Sequence, residues 1–168
     1  MKTKQIVLYA TMAAVIIYGG KMALMMSIRG FRNNNPMNLK EGNNWDGERT
    51  ENKDPVFEEF ESPEWGIRAG GKLLLNYQRL YGLSTIAELI NRFAPTSENN
   101  TQSYIDHVAR QTKLGPLQYI KVADHLPELV KAIITHENGL QPYSDAVINQ
   151  GLELIEGYNA ETRNYIHA

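Results

Sequence analysis

Cysteine is absent from this 168-residue chain. That excludes a disulfide framework, a thiolate nucleophile and cysteine-bound zinc. The four histidines, His107, His125, His136 and His167, include no pair four residues apart, and His136-Glu137 has no second histidine at the spacing of a helix-borne zinc site, so no metal is expected. No serine stands in a nucleophile-elbow pattern. Nowhere do basic residues cluster with aromatics, which argues against nucleic acid as a partner. Nothing calls for a cofactor. Acidic residues are missing from the start of the chain: all 19 lie beyond position 30. Of the 17 basic residues, Lys2, Lys4 and Lys21 precede residue 28, leaving 14, so residues 28–168 carry −5 against −2 for the whole chain.

Residues 6–26 form a nearly continuous apolar run, broken by Thr11, Gly19-Gly20 and Lys21. About 20 apolar residues span a bilayer as a helix, and Lys21 is close enough to the end to reach the headgroups. The run is long for a signal-peptide core, and no small-x-small cleavage site follows it. An uncleaved N-terminal transmembrane anchor over residues 1–27 is therefore expected, with lipid contact through residues 6–26. Lys2 and Lys4 on one side nearly balance Lys21, Arg29 and Arg32 on the other, so orientation stays open. The moderate hydrophobicity of the run is similar to that of signal-arrest-release segments, which leave the membrane, and equally to that of a permanent anchor.

Beyond the anchor, residues 27–47 are polar and asparagine-rich, the composition of an ordered loop. Residues 56–60 alternate weakly and predict a short strand. Ser62 and Pro63 then make an N-cap and first helical position for a helix from Glu64 to Gly82. Further helices are expected over 84–93, 101–111, 118–123, 127–137 and 144–156, with a loosely attached tail after Gly157. The fold class is mainly α (α+β): a helical domain over residues 28–158 with a small β element, and a tail over 159–168.

One helix carries chemistry. Leu126, Leu129, Val130, Ile133 and Ile134 make a buried face, Pro127 suits its first turn and Gly139 its left-handed stop. Glu137 falls in the last turn, where the unsatisfied carbonyls give a negative potential. That potential and partial burial both disfavour ionisation, the requirement for a glutamic acid that stays protonated near neutral pH. A surface glutamate before a helix stop is the plainer alternative.

Five blocks carry a resemblance: Arg29-Gly30-Phe31-Arg32-Asn33-Asn34-Asn35-Pro36-x-Asn38-Leu39; Trp45-x-Gly47; Phe57-x-x-Phe60-x-Ser62-Pro63-Glu64-x-Gly66-Ile67-Arg68-Ala69; Ala94-Pro95-x-x-Glu98-Asn99-x-Thr101-x-x-Tyr104-Ile105; and His136-Glu137-Asn138-Gly139. Together they resemble phage and prophage structural proteins that include the virion-borne muralytic enzyme of enveloped double-stranded RNA phages, of the lysozyme-like and lytic transglycosylase superfamily. Met37 departs from the pattern, which usually has glycine there, so the turn is expected to differ. A second resemblance is to bacterial glucosaminidase domains, whose Glu-bearing helix precedes the Asn-Asn block. Here that helix comes last, which would make the chain a circular permutation of a lysozyme-like arrangement.

The resemblance implies a peptidoglycan-degrading glycosidase, a lytic transglycosylase or muramidase cleaving the β-1,4 bond between N-acetylmuramic acid and N-acetylglucosamine, with Glu137 as general acid. A hydrolase needs a second carboxylate, for which Glu61, Asp46 and Glu98 are the candidates; a transglycosylase can use one glutamate as acid and then base. Asn34, Asn35, Asn38 and Asn138 are candidate substrate binders, since amides both donate and accept, while local turn formation is their alternative role. Trp45 and Tyr104 could stack on sugar rings or belong to the core. Arg68 could pair a buried acid such as Glu98, or be solvated. Glycan strands, lipid and other virion membrane proteins are the implied partners, and a viral or host inner membrane the implied location. The rival classes are a membrane-anchored virion structural protein without turnover, and a wall endopeptidase on the same fold.

Overall fold

The computed structural model describes residues 20, 23–95, 100–159, 161 and 163–165. Most of the expected anchor, residues 6–26, lies outside the described residues; among those described, residues 23–27 are helical and no helix is long and apolar enough to cross a membrane. The domain is mainly helical. Its elements are α1 (Arg29–Arg32), α2 (Pro63–Tyr81), α3 (Ile86–Phe93), α4 (Thr101–Thr112), a 3-10 turn (Val122–His125), α5 (Leu126–Asn138) and α6 (Asp145–Glu153), then β1 (Tyr158–Asn159) paired antiparallel with β2 (Asn164–Tyr165).

Helix α2 packs along α6, and α5 lies against α4, which in turn meets α3. The apolar face read from the sequence of α5 is inside: Leu126, Leu129, Val130, Ile133 and Ile134 are each at most 1% exposed. Each such side chain contributes roughly 1.5–3 kcal/mol on burial, which fixes the helix and so the position of its last turn. Gly139 closes it in the left-handed conformation, φ 76°, with its N–H on the Thr135 carbonyl at 2.9 Å.

The asparagine-rich stretch is an ordered loop. Residues 56–60 do not form the expected strand; they make isolated bridges only, Lys40 with Phe57 and Glu48 with Phe60. Asn35 is completely buried and binds the Leu39 N–H and carbonyl at 2.9 and 2.8 Å and the Glu58 carbonyl at 3.0 Å. Asn34 donates to the Phe60 carbonyl at 3.0 Å, and Asp54 accepts the N–H groups of Val56 and Phe57 at 3.2 Å each. Side chains thus take some of the backbone groups of this segment, while the N–H groups of Glu58 and Phe60 bond the carbonyls of Leu39 and Asn33 at 3.0 and 2.9 Å.

Around Met37 the turn places Asn34 (φ 51°) and Asn38 (φ 49°) in the left-handed backbone region, which asparagine tolerates. Met37 is fully buried, with its sulfur where a Cβ on Gly70 would be, 2.1 Å away. The small residue on α2 makes the notch and the methionine fills it. Gly66 serves the same loop differently: a Cβ there would meet the Asn34 carbonyl oxygen at 2.1 Å. The bare backbone at Gly66 lets the loop lie flat on the start of α2.

Other boundaries move. Thr85, not Ser84, caps α3 with a complete capping box to Glu88. The expected helix over 118–123 is replaced by the short 3-10 turn at Val122–His125. Helix α6 stops at Glu153, short of the expected 156. The segment after Gly157 is attached: Tyr158 is buried, and Arg163 pairs bidentately with Glu128 at 2.7 and 3.2 Å.

Candidate active site

Glu137, half-buried in the last turn of α5, reaches the wall of a cleft of about 530 Å3. Asn38, Lys40, Glu41 and Asn43 from the loop, Trp45 and Phe57, Leu73 and Tyr77 from α2, and Phe93 to Pro95 at the end of α3 complete the lining. Both carboxyl oxygens of Glu137 are held by neutral donors. The Tyr104 hydroxyl donates to Oε1 at 2.8 Å, and the Asn38 amide donates to Oε2 at 3.0 Å. Burial holds Glu137 above its ordinary carboxylate value, and the two donors pull it down without cancelling that effect. The sequence expectation of a reluctant acid agrees with this direction, and burial is its largest cause.

Tyr104 is almost fully buried, so it is not a platform on which a sugar could lie. Its role here is to hold the carboxyl, and burial together with the nearby Glu137 charge keeps the phenol protonated. The ring of His136 stacks on it at 3.6 Å and 13°. His107 faces His136 edge-on at 5.1 Å, and burial followed by His107 depresses the His136 imidazole, which is therefore neutral near pH 7. This aromatic stack fixes the Tyr104 hydroxyl from behind.

The remaining expected site residues divide. Trp45 lines the cleft and is half-exposed; its indole Nε1 is buried with no acceptor. Asn38 lines it too. Asn34 and Asn35 spend their amides on loop backbone, and Asn138 donates to the carbonyls of Pro36 and Ile134 at 2.7 and 3.0 Å. These three build the site's frame and do not face the cleft. Of the second-acid candidates, Glu61 is exposed away from the cleft, and Asp46 is engaged by Arg68; Glu98 lies outside the described residues. Arg68, buried beside Asp46, also donates to the Leu154 carbonyl at 3.0 Å, and these are its hydrogen-bond partners among the described residues.

Sequence reading missed Lys40 and Glu41, charged residues on the cleft wall. Both directly follow the Asn38-Leu39 block, so adjacency to that block was the available signal. Lys40 also bridges to Phe57, which locks the backbone that carries it.

The fold and site together define a mainly helical domain in which a half-buried glutamic acid faces an aromatic-lined cleft. No family model matches the chain. Over 148 residues it is 40% identical to Protein P5 of Pseudoalteromonas phage PM2, an alignment covering 86% of this chain and 92% of that protein. The chain belongs to the family of that phage protein.

Proposed function

We propose that this chain is a membrane-anchored phage glycosidase of peptidoglycan, with a circularly permuted lysozyme-like domain, in which Glu137 is the general acid for cleavage of the β-1,4 bond between N-acetylmuramic acid and N-acetylglucosamine. The observation that carries the reading is the Glu137 carboxyl, held on both oxygens by Tyr104 and Asn38 and facing a cleft of about 530 Å3. A proton given to the glycosidic oxygen leaves a carboxylate that the same two donors stabilise. The aromatic walls at Trp45, Tyr77 and Phe93 suit the apolar faces of pyranose rings. The relationship to a phage protein supports the viral setting, and the apolar run at 6–26 supports the membrane.

If the bond is broken by one carboxyl, Glu137 serves as acid and then as base toward the sugar's own hydroxyl, the transglycosylase course. Glu41 favours the alternative, because it is a second carboxylate on the cleft wall and could activate water in a muramidase. Incubation of the full chain with purified peptidoglycan, read by mass spectrometry, separates these. Anhydro-muramic ends identify a transglycosylase and reducing muramic ends a muramidase. Released peptides would replace the glycosidase reading with an endopeptidase, and no products from folded protein would leave a structural virion component.

A further inference from the structure

Two buried amide oxygens beside the site have no donor: Asn38 Oδ1 and Asn138 Oδ1. They converge on one point, since a Cβ on Gly30 would lie 3.0 Å from the first and 2.3 Å from the second. A bare Cα at Gly30 is what lets both approach.

The two amides differ in freedom. The NH2 group of Asn138 is committed to two carbonyls, Pro36 at 2.7 Å and Ile134 at 3.0 Å, so turning it over would set oxygen against oxygen twice. The NH2 group of Asn38 has one partner, Glu137 Oε2. The two ends of an amide have nearly the same shape, so a half-turn of Asn38 needs no repacking. After that turn its NH2 group faces the orphaned Asn138 oxygen, and its own oxygen faces Glu137. A carboxylate repels that oxygen, whereas a carboxylic acid donates to it.

We infer that Asn38 is a proton-following rotor: its NH2 group faces Glu137 when that residue is ionised, and turns to Asn138 when Glu137 carries a proton. The ionised carboxyl keeps its two donors and leaves the two amide oxygens unpaired, whereas the protonated carboxyl lets all of these groups pair. With Glu137 protonated, its O–H donates to Asn38 Oδ1 and the Asn38 NH2 group donates to Asn138 Oδ1. When the proton leaves, the amide turns back and supplies a donor to the carboxylate. Asn38 is a positioning residue in this scheme, and it suits a site whose one carboxyl alternates between acid and base. That catalytic consequence rests on the function proposed above; the rotor does not.

The other groups around Glu137 are Tyr104 from α4, Lys40 and Glu41 on the cleft wall, and the His136–His107 pair behind Tyr104. The test must therefore isolate Glu137. The full-length chain in detergent micelles, labelled with nitrogen-15, is followed by NMR through the side-chain amide of Asn38. The expected result is a contact between the Asn38 NH2 protons and the Gly30 α-protons that is strong below the Glu137 midpoint and weaker above it. In Glu137→Gln, whose NH2 group mimics the acid proton, that contact should persist at every pH. A contact unchanged with pH in the wild type would overturn the rotor, and so would a contact that still titrates in the variant. Neither readout requires wall digestion, so a failed activity assay and a failed rotor are separate results.

Discussion

Tyr104 gives its hydroxyl hydrogen to Glu137 across 33 residues of sequence, from the first turn of α4 to the last turn of α5. One donor thereby couples the acid to the stack of His136 and His107, and to the core that holds α4 and α5 together.

Tyr104→Phe removes this donor and little else. The bond lowers the Glu137 pKa, so its loss should move the Glu137 midpoint upward. An enzyme that needs the protonated acid loses activity as pH rises through that midpoint, so the alkaline limb of the pH–rate profile should shift to higher pH. A fall of about tenfold in kcat is expected for the less well-oriented acid, equivalent to ~1.4 kcal/mol. An unmoved limb in a pH series would show that the hydroxyl does not govern the carboxyl.

Glu137→Gln should abolish wall digestion and yet stabilise the fold at neutral pH. A carboxyl whose folded pKa is raised above its ordinary value of 4.5 binds its proton more tightly in the native state. Stability therefore declines as pH rises from that value through the folded midpoint, and the penalty is complete above it. The neutral variant escapes the penalty. Its melting temperature should exceed that of the wild type at pH 7, with the difference vanishing below about pH 4 on the same linkage argument.

Asp54 behaves in the opposite sense. Burial pushes it up, but the Asn33 amide, the N–H groups of Val56 and Phe57, and Arg29 outweigh that and leave its pKa lowered. Its contribution is present above the ordinary value of 3.8 and is lost as pH falls through the lower folded value. Asp54→Asn should cost about 1–3 kcal/mol at pH 7, because it unpairs buried donors at the base of the loop. Urea titrations at pH 7 and pH 3 should show the cost shrinking in acid; an equal cost at both would remove the charge from the account.

Met37 and Gly70 form a matched pair. Met37→Ala should destabilise by about 2–5 kcal/mol as a cavity opens. Gly70→Ala should also destabilise, since its Cβ would occupy the methionine's sulfur position. The double variant should be less damaged than the sum of the two, with a coupling of about 0.5–3 kcal/mol in a double-mutant cycle. Strict additivity would mean that the notch is not shared.

The helices and the acid were legible in sequence because both follow local rules. The apolar period of α5 sets its buried face, and Gly139 fixes where it ends, so Glu137 could be placed within one turn. What could not be read was partnership at a distance. Tyr104 could be read as a groove residue or as core, because an amphipathic pattern does not say which buried ring reaches a carboxyl. Arg68 engages Asp46, and residues 56–60 divide their backbone bonds between isolated bridges and the side chains of Asn34, Asn35 and Asp54. Asparagine is equally able to bind a sugar or to replace a backbone partner, and composition alone does not choose between them. Met37, an apparent departure from a glycine, is explained by a second glycine 33 positions later that no local pattern connects to it.

The donors and the acid meet only over long stretches of chain: Asn38 and Glu137 are 99 residues apart. During synthesis the loop, the cleft walls of α2 and α3, and the tyrosine all leave the ribosome before α5 is complete. An unfinished polypeptide, or one cut anywhere between the loop and α5 and separated, has the cleft without its acid. Whatever chemistry Glu137 performs therefore begins only when α5 is complete and has docked against the loop and α4.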